Sequence, residues 1–102
     1  AHPDCIPDEK HLIRGDFQDT LPDAIARIGA PAALIHGDFG SAFPERDAEL
    51  AAWLGPVLRS LAAPGALIIT DRALGDGIWP EEPLPHKVSP GVYFMYRAVA
   101  LA

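Results

Sequence analysis

LIRGDFQDTLP, residues 12–22, is the first of three apolar segments that decide the predicted fold. The other two are AALIHGDFGS, residues 32–41, and LAAPGALIITD, residues 61–71. In each segment a short apolar run ends beside an acidic residue, and helical patterns fill the sequence between the segments. The order strand, helix, strand, helix, strand is typical of an α/β fold in which right-handed crossovers join parallel strands.

The apolar runs place the predicted strands. The first strand comprises residues 11–14, and the second, residues 32–36, has no alternation of polar side chains. Such a run is typical of a central strand that helices cover on both faces. A turn at residues 63–65 precedes the third strand, residues 66–70. A last strand, residues 92–99, is rich in aromatic and β-branched side chains.

Two helices are predicted between these strands. Thr20 begins the first helix, Pro22 lies in its first turn, and Gly29 ends it. The second helix begins at Glu45, and Pro56 bends it or ends it early. Its apolar face is formed by Leu50, Leu54, Val57, Leu58 and Leu61.

A long segment with little periodicity, residues 72–91, precedes the last strand. Loops of this length are usually functional or disordered. It contains several prolines and Trp79, which either covers a substrate pocket or anchors the loop on the core.

Composition and charge limit the functions of the chain. Its 102 residues allow at most one domain, and its 49% hydrophobic content is typical of a globular protein. A net charge of −6 argues against a nucleic-acid partner. No apolar run approaches the roughly 20 residues that cross a bilayer, and we recognise no leader, so we expect a cytoplasmic protein without membrane contact. The single Cys5 excludes an internal disulfide.

Acidic residues follow each of the three predicted parallel strands. These residues are Asp16, Asp38 and Asp71, with His36 at the end of the second strand and Arg72 after the third. Ligands of open α/β sheets bind outside the carboxyl ends of the strands, so we expect these side chains to face one rim. An aspartate in this position is also common as a helix cap or turn former.

The segments GDFQDTLPDAI, LIHGDFGS and L-x-x-PGALIITD resemble the third, fourth and fifth strand regions of class I S-adenosylmethionine-dependent methyltransferases. The resemblance covers residues 13–72, and SPGVYFMYR is similar to the last strand of a small bacterial group in that superfamily. It implies an α/β fold, a Rossmann-like parallel sheet with crossover helices and a final antiparallel strand. The first strands and the Gly-rich loop of that fold have no counterpart here. The chain also lacks an initiator Met, so we expect residues 1–102 to be one partial domain, a fragment corresponding to the carboxyl-terminal half.

The resemblance implies a cofactor, S-adenosyl-L-methionine, and residues that bind it. Asp16 matches the acidic residue that accepts a hydrogen bond from the adenine amino group, and Phe17 matches the neighbour that flanks the ring. Asp38 is a third candidate for cofactor binding. The acidic ribose clamp of the family has no counterpart in this sequence.

Methyl transfer to a small-molecule acceptor is the implied reaction, and alignment of the reactants is most of what it requires. The segment after the fourth strand usually faces the acceptor, so Asp38 and His36 are the candidate catalytic residues, either of which could deprotonate or orient an acceptor group. No metal ligand is assigned. In the alternative of a metal-dependent catechol-type O-methyltransferase, Asp38 and Asp71 would hold Mg²⁺, although the cationic Arg72 stands where an amide ligand is expected.

Two further classes of function stay open. The chain could be a non-catalytic fragment or interaction module that docks on a partner through an unpaired edge strand. It could also be a different Rossmann-like enzyme, such as a dehydrogenase, although it contains no Tyr-x-x-x-Lys pair. A homo-oligomer is compatible with either class, and we expect the isolated chain to be marginally stable or to self-associate.

Overall fold

The computed structural model describes residue 4 and residues 6–75 and 78–99. It divides the chain into two compact units, Ala1–Ala30 and Pro31–Ala102. None of the helices in the described part of the chain is long and apolar enough to cross a membrane.

The first unit contains one α-helix, α1 (Phe17–Ile28), preceded by a short 3₁₀ helix, Glu9–His11. Asp16 is the N-cap of α1, and Gly29, with a φ of 67°, ends the helix as predicted, its N–H donating to the carbonyl oxygen of Ile25. The left-handed conformation at Gly29 favours glycine because a side chain is strained there.

Two details of the first unit differ from the prediction. Residues 11–14 form no strand, because Leu12 is extended but has no strand to pair with among the described residues of its unit. The helix begins at Phe17, three residues before Thr20, since the Asp16 carboxylate caps it. Pro22 therefore lies inside the helix rather than in its first turn, and the carbonyl oxygen of Gln18 receives no hydrogen bond from it.

The second unit is built on a three-stranded sheet in the order β1-β2-β3. Its strands are β1 (Ala32–Gly37), β2 (Ala62–Thr70) and β3 (Phe94–Arg97). A crossover through α2 (Pro44–Val57) joins β1 to the parallel β2, and β3 pairs antiparallel to β2. The predicted fold class, a Rossmann-like sheet with crossover helices and a final antiparallel strand, is confirmed.

β2 begins earlier than predicted and contains the segment that we expected to be a turn. Ala32 is the register partner of Ala62, whereas Leu34 is the partner of Leu67, so extra residues of β2 bulge out between these pairs. The bulge includes Gly65, whose φ of 84° suits glycine. β3, four residues long, is shorter than the predicted strand of residues 92–99.

Buried apolar side chains of the second unit come from α2, from the turn after it, and from one face of the sheet. They include Leu50, Leu54, Leu58, Leu61, Ala66, Ile68 and Tyr96. The predicted apolar face of α2 is therefore confirmed, with Val57 only half-buried. As expected from Pro56, the α-helix ends at Val57 and continues as a 3₁₀ turn, Leu58–Ser60.

The opposite face of β1 is open, which corrects the prediction of a strand buried on both faces. Leu34 is 63% exposed, and His36 is exposed as well. Within the described residues β1 pairs with β2 alone, so it is an edge strand. β1 is therefore more apolar than an edge strand with one open face needs to be.

Candidate functional site

The carboxyl ends of β1 and β2 bring two predicted site residues to one rim. Gly37 and Thr70 are register partners at the ends of these parallel strands, so Asp38 and Asp71 follow adjacent strand ends. Asp38 is exposed, whereas the Asp71 side chain is 14% exposed. The loop from Asp38 to Phe43 leads from this rim into α2.

Asp71 binds the loop after β1 through its backbone and through both carboxylate oxygens. Its N–H donates to the carbonyl oxygen of Gly37 over 3.1 Å. Its Oδ1 accepts from the N–H of Phe39 at 3.0 Å, and its Oδ2 accepts from the N–H of Gly40 at 2.8 Å. A carboxylate that accepts successive backbone N–H groups holds their peptide planes in one orientation.

Gly40 lies close to the Asp71 and Arg72 side chains. A Cβ at this position would stand 2.5 Å from Asp71 Oδ2 and 2.5 Å from Arg72 Cζ, so a larger residue would push against the ends of these side chains. Glycine favours this close approach of the loop to Asp71.

A second aspartate, Asp47 in the first turn of α2, fixes the next part of the loop. It is 2% exposed, and it accepts from the N–H of Ser41 at 2.8 Å and from Ser41 Oγ at 2.6 Å. Its Oδ2 also accepts from Arg72 Nε at 3.2 Å. The sequence analysis did not single out Asp47. Its spacing from Leu50 and Leu54 places Asp47 on the apolar face of the helix. An acidic residue at such a position is the sequence feature that could have identified it.

Arg72 links the two aspartates. Besides its bond to Asp47, its Nη1 donates to the backbone carbonyl oxygen of Asp71 at 2.8 Å and lies 3.7 Å from Asp71 Oδ2. Thr70 Oγ1 donates to the carbonyl oxygen of Arg72 at 2.7 Å. The Arg72 guanidinium thus lies close to two carboxylates and offsets part of their mutual repulsion.

These contacts lower the pKa of both aspartates. Hydrogen bonds from the Ser41 hydroxyl and N–H lower the pKa of Asp47 despite its burial, with a smaller contribution from Arg72. Burial raises the pKa of Asp71, but hydrogen bonds from the N–H groups of Phe39 and Gly40, together with the charge of Arg72, more than offset it, so the net shift is downward. Both carboxylates are therefore held in the charged form.

The magnesium alternative gains no support from this geometry. Both Asp71 oxygens already accept backbone N–H groups, and the Arg72 guanidinium lies beside one of them. Among the described residues, no group of three or more His, Cys, Asp or Glu side chains could hold a metal ion. Asp71 therefore binds the loop with the oxygens that a cation would need.

His36 lies away from this hydrogen-bond network. It lines an apolar groove of about 410 Å³ on the open face of the sheet. Leu34, Ile69, Met95 and Tyr93 line the same groove, together with side chains from the loop before β3. The imidazole and the Tyr93 hydroxyl are the polar groups that the lining side chains offer.

Asp16 and Phe17 belong to the first unit, at the start of α1. Asp16 is exposed, and its Oδ1 accepts from the N–H of Gln18 at 2.9 Å. Phe17 is the first helical residue and is half-buried. A carboxylate and an aromatic ring are thus adjacent at a helix N-terminus, with the carboxylate acting as the cap.

Trp79 anchors its loop on the core. It is 5% exposed, and its Nε1 donates to the carbonyl oxygen of Gly55 in α2 at 3.1 Å. Nearby in sequence, the N–H of Leu74 donates to the hydroxyl of the buried Tyr96 at 3.0 Å. Of the two predicted roles for Trp79, the structure supports the anchor.

Comparison with known proteins identifies a family and a structural relative. The family model that describes S-adenosyl-L-methionine methyltransferase matches residues 1–98. Among solved structures, the chain is similar to S-adenosyl-L-methionine methyl transferase from Silicibacter pomeroyi DSS-3, with 37% identity and a TM-score of 0.81. The similarity covers 94% of this chain but 59% of that one. No curated protein matches the sequence.

Proposed function

Because the chain belongs to the S-adenosyl-L-methionine methyltransferase family, we propose that it takes part in methyl transfer from S-adenosyl-L-methionine to a small-molecule acceptor. The observation that carries the proposal is the position of Asp38. This carboxylate is exposed at the carboxyl end of a parallel strand, in a loop held by Asp71. Ligands of open α/β sheets bind at such strand ends.

Asp38 is proposed as the catalytic base on the acceptor side. When bound, S-adenosyl-L-methionine supplies a methyl group on a sulfonium, which is open to in-line displacement. An acceptor hydroxyl or amine must give up its proton as it gains the methyl group, and the Asp38 carboxylate can receive that proton. Asp38 also remains a proposed contact to the cofactor.

His36 is proposed to orient the acceptor. Its imidazole lines the apolar groove on the open sheet face, where it is one of few polar groups. An apolar wall with two hydrogen-bonding side chains, His36 and Tyr93, suits a ligand that is mostly uncharged. His36 can donate or accept a hydrogen bond according to its tautomer.

Asp16 and Phe17 are proposed to bind the adenine ring. The donor set fits this group, since an exposed carboxylate can accept from the adenine amino group and an aromatic side chain can cover the flat face of the ring. No counterpart of the family's Gly-rich loop is recognised in the sequence, and the chain spans 59% of its structural relative. Donor binding and methyl transfer are therefore tested separately.

The remaining proposals on partners rest on the sequence. The net charge of −6 supports a small-molecule acceptor rather than a nucleic acid. The cytoplasmic location, the partial-domain assignment and the homo-oligomer stay predictions.

The test begins with binding of S-adenosyl-L-methionine, measured by titration calorimetry on the purified chain and on its Asp16→Asn variant. Asparagine is as good an N-cap as aspartate, so this change removes the charge and keeps the helix start. We expect binding to the unsubstituted chain and binding weakened by about tenfold in the variant, which corresponds to one charge-assisted hydrogen bond. Asp23→Asn, a change of charge further along α1, is the matched control and should leave the affinity unchanged.

Transfer is then measured with methyl-labelled S-adenosyl-L-methionine and a panel of small hydroxyl and amine acceptors. The Asp38→Asn variant should lose at least about a hundredfold in rate, the usual contribution of a general base. If the unsubstituted chain binds no S-adenosyl-L-methionine, the adenine assignment is wrong for this chain. If Asp38→Asn retains full activity, Asp38 is not the base.

A further inference from the structure

We propose that Asp71 is a positioning residue that holds Asp38 at the carboxyl end of β1. The structural half of this proposal concerns the loop alone, and its consequence for catalysis rests on the function proposed above. Asp71 itself would touch neither substrate nor cofactor, because its contacts are with the chain.

Asp71 binds the residues on both sides of Asp38. Its N–H holds the carbonyl oxygen of Gly37, just before Asp38, at 3.1 Å. Its two carboxylate oxygens hold the N–H groups of Phe39 and Gly40, just after Asp38, at 3.0 and 2.8 Å. The peptide planes that flank Asp38 are therefore both held by one residue that is 32 positions away from Phe39 in sequence.

The strength of this hold follows from charge and burial. The Asp71 carboxylate is 14% exposed, so water competes little for its oxygens. Hydrogen bonds from neutral N–H groups to an ionised carboxylate are stronger than those between neutral partners.

Two further features limit movement of the loop. Gly40 packs against Asp71 and Arg72 so closely that an added Cβ would stand 2.5 Å from either. Beyond it, the N–H and the hydroxyl of Ser41 are bound to the buried Asp47. The loop is thus attached on each side of Asp38, while Asp38 itself remains exposed.

A base that is already in place need not be ordered when the acceptor arrives. Fixing one residue costs conformational entropy, and the hydrogen bonds to Asp71 offset this cost when the chain folds. Release of the loop should therefore slow the transfer step more than it weakens donor binding.

The experiment uses two variants that release the loop in different ways. Asp71→Asn keeps the size of the side chain but removes its charge and one acceptor oxygen. Gly40→Ala keeps every hydrogen-bonding side chain and displaces the loop by steric contact. Glu82→Gln, which removes a carboxylate from the ion pair with Arg97, is the matched control outside the loop.

Two readouts separate positioning from general stability. Hydrogen exchange of the Phe39 and Gly40 amides, followed by NMR, reports the hold on the loop without any substrate. The kcat for methyl transfer and the KM for S-adenosyl-L-methionine report its catalytic consequence. We expect amide exchange to accelerate about tenfold or more in Asp71→Asn and Gly40→Ala, and kcat to fall by a larger factor than the KM for S-adenosyl-L-methionine rises. Glu82→Gln should change neither.

Each other result overturns part of the proposal. Unchanged exchange at Phe39 and Gly40 in Asp71→Asn means that Asp71 does not hold the loop. Faster exchange with an unchanged kcat means that methyl transfer does not depend on Asp38 being held in a fixed position. A chain that transfers no methyl group contradicts the proposed function, and exchange then still decides whether Asp71 holds Asp38. If Asp71→Asn does not fold, Gly40→Ala gives the same two readouts.

Discussion

Arg72 Nε lies 3.2 Å from Oδ2 of Asp47, a carboxylate that is 2% exposed. The two residues are 25 positions apart, one in the first turn of α2 and the other just after β2. A buried charge is tolerated only when it is paired and hydrogen-bonded. This pair, together with Ser41, therefore ties the start of the crossover helix to the end of the strand that follows it.

Removal of the Arg72 charge should destabilise the fold more than removal of an exposed cation. Arg72→Met keeps most of the side-chain length but leaves Asp47 with Ser41 as its remaining hydrogen-bond partner among those described here. Arg97→Met, which breaks the more exposed pair with Glu82, is the control. Thermal unfolding should show the larger fall in Tm for Arg72→Met. Equal falls would mean that the buried pair contributes no more than the surface pair.

Acid should destabilise the second unit through Asp47 and Asp71. Both have a folded-state pKa below the ordinary value of 3.8, so their contribution to stability is complete above that value. It is lost as the pH falls through the lowered pKa values. Urea unfolding at a series of pH values should therefore show a decline below about pH 4. Asp71→Asn should make that decline shallower, and an unchanged slope would contradict the assignment.

Two leucines should differ sharply in their contribution to stability. Leu58 is 1% exposed, and Leu58→Ala should lower the free energy of unfolding by about 2–5 kcal/mol because it leaves a cavity. Leu34 is 63% exposed, and Leu34→Ala should change the free energy of unfolding by less than about 0.5 kcal/mol. Denaturant unfolding of both variants gives the comparison. Similar losses would mean that the face of β1 bearing Leu34 is covered in solution.

The anchor of the long loop can be tested at Trp79. Trp79→Phe keeps an aromatic ring but removes the N–H that donates to the carbonyl oxygen of Gly55. A buried carbonyl without its donor should cost about 1–3 kcal/mol of unfolding free energy. Denaturant unfolding measures this loss. A variant as stable as the unsubstituted chain would show that water replaces the lost donor.

The open edge of β1 should promote association between copies of the chain. Leu34 is exposed on a strand that pairs with β2 alone among the described residues, next to the apolar groove. Sedimentation velocity should show concentration-dependent association of the unsubstituted chain. Leu34→Lys should reduce it, since a charge on an edge strand opposes pairing. A monomer at all concentrations would contradict this prediction and the expected self-association.

Sequence patterns could predict the elements whose signals are local. The spacing of Leu50, Leu54 and Leu58 marks the buried face of α2, and Gly29 marks the end of α1, because both signals arise within a few residues. The same reasoning was wrong for residues 11–14, because Leu12 is extended but has no strand to pair with among the described residues of its unit. A strand depends on its partner, and the partner is not a local property.

Two predictions concern Asp16, and the structure tests one of them. Its position before α1 suits a helix cap, and the structure shows it as that cap, with Oδ1 accepting from the N–H of Gln18. The resemblance to methyltransferases assigns it to adenine, which stays a proposal.

The sequence by itself determined the order of elements from α1 to β3, the parallel crossover and the family, because periodicity, capping residues and short motifs depend on side chains that are close together in sequence. Only the tertiary structure decided what Asp71 and Asp47 bind. Asp71 accepts from the backbone N–H groups of Phe39 and Gly40, which lie 32 and 31 positions away. Every residue except proline carries the same N–H group, so no side-chain pattern identifies which one a distant carboxylate will meet.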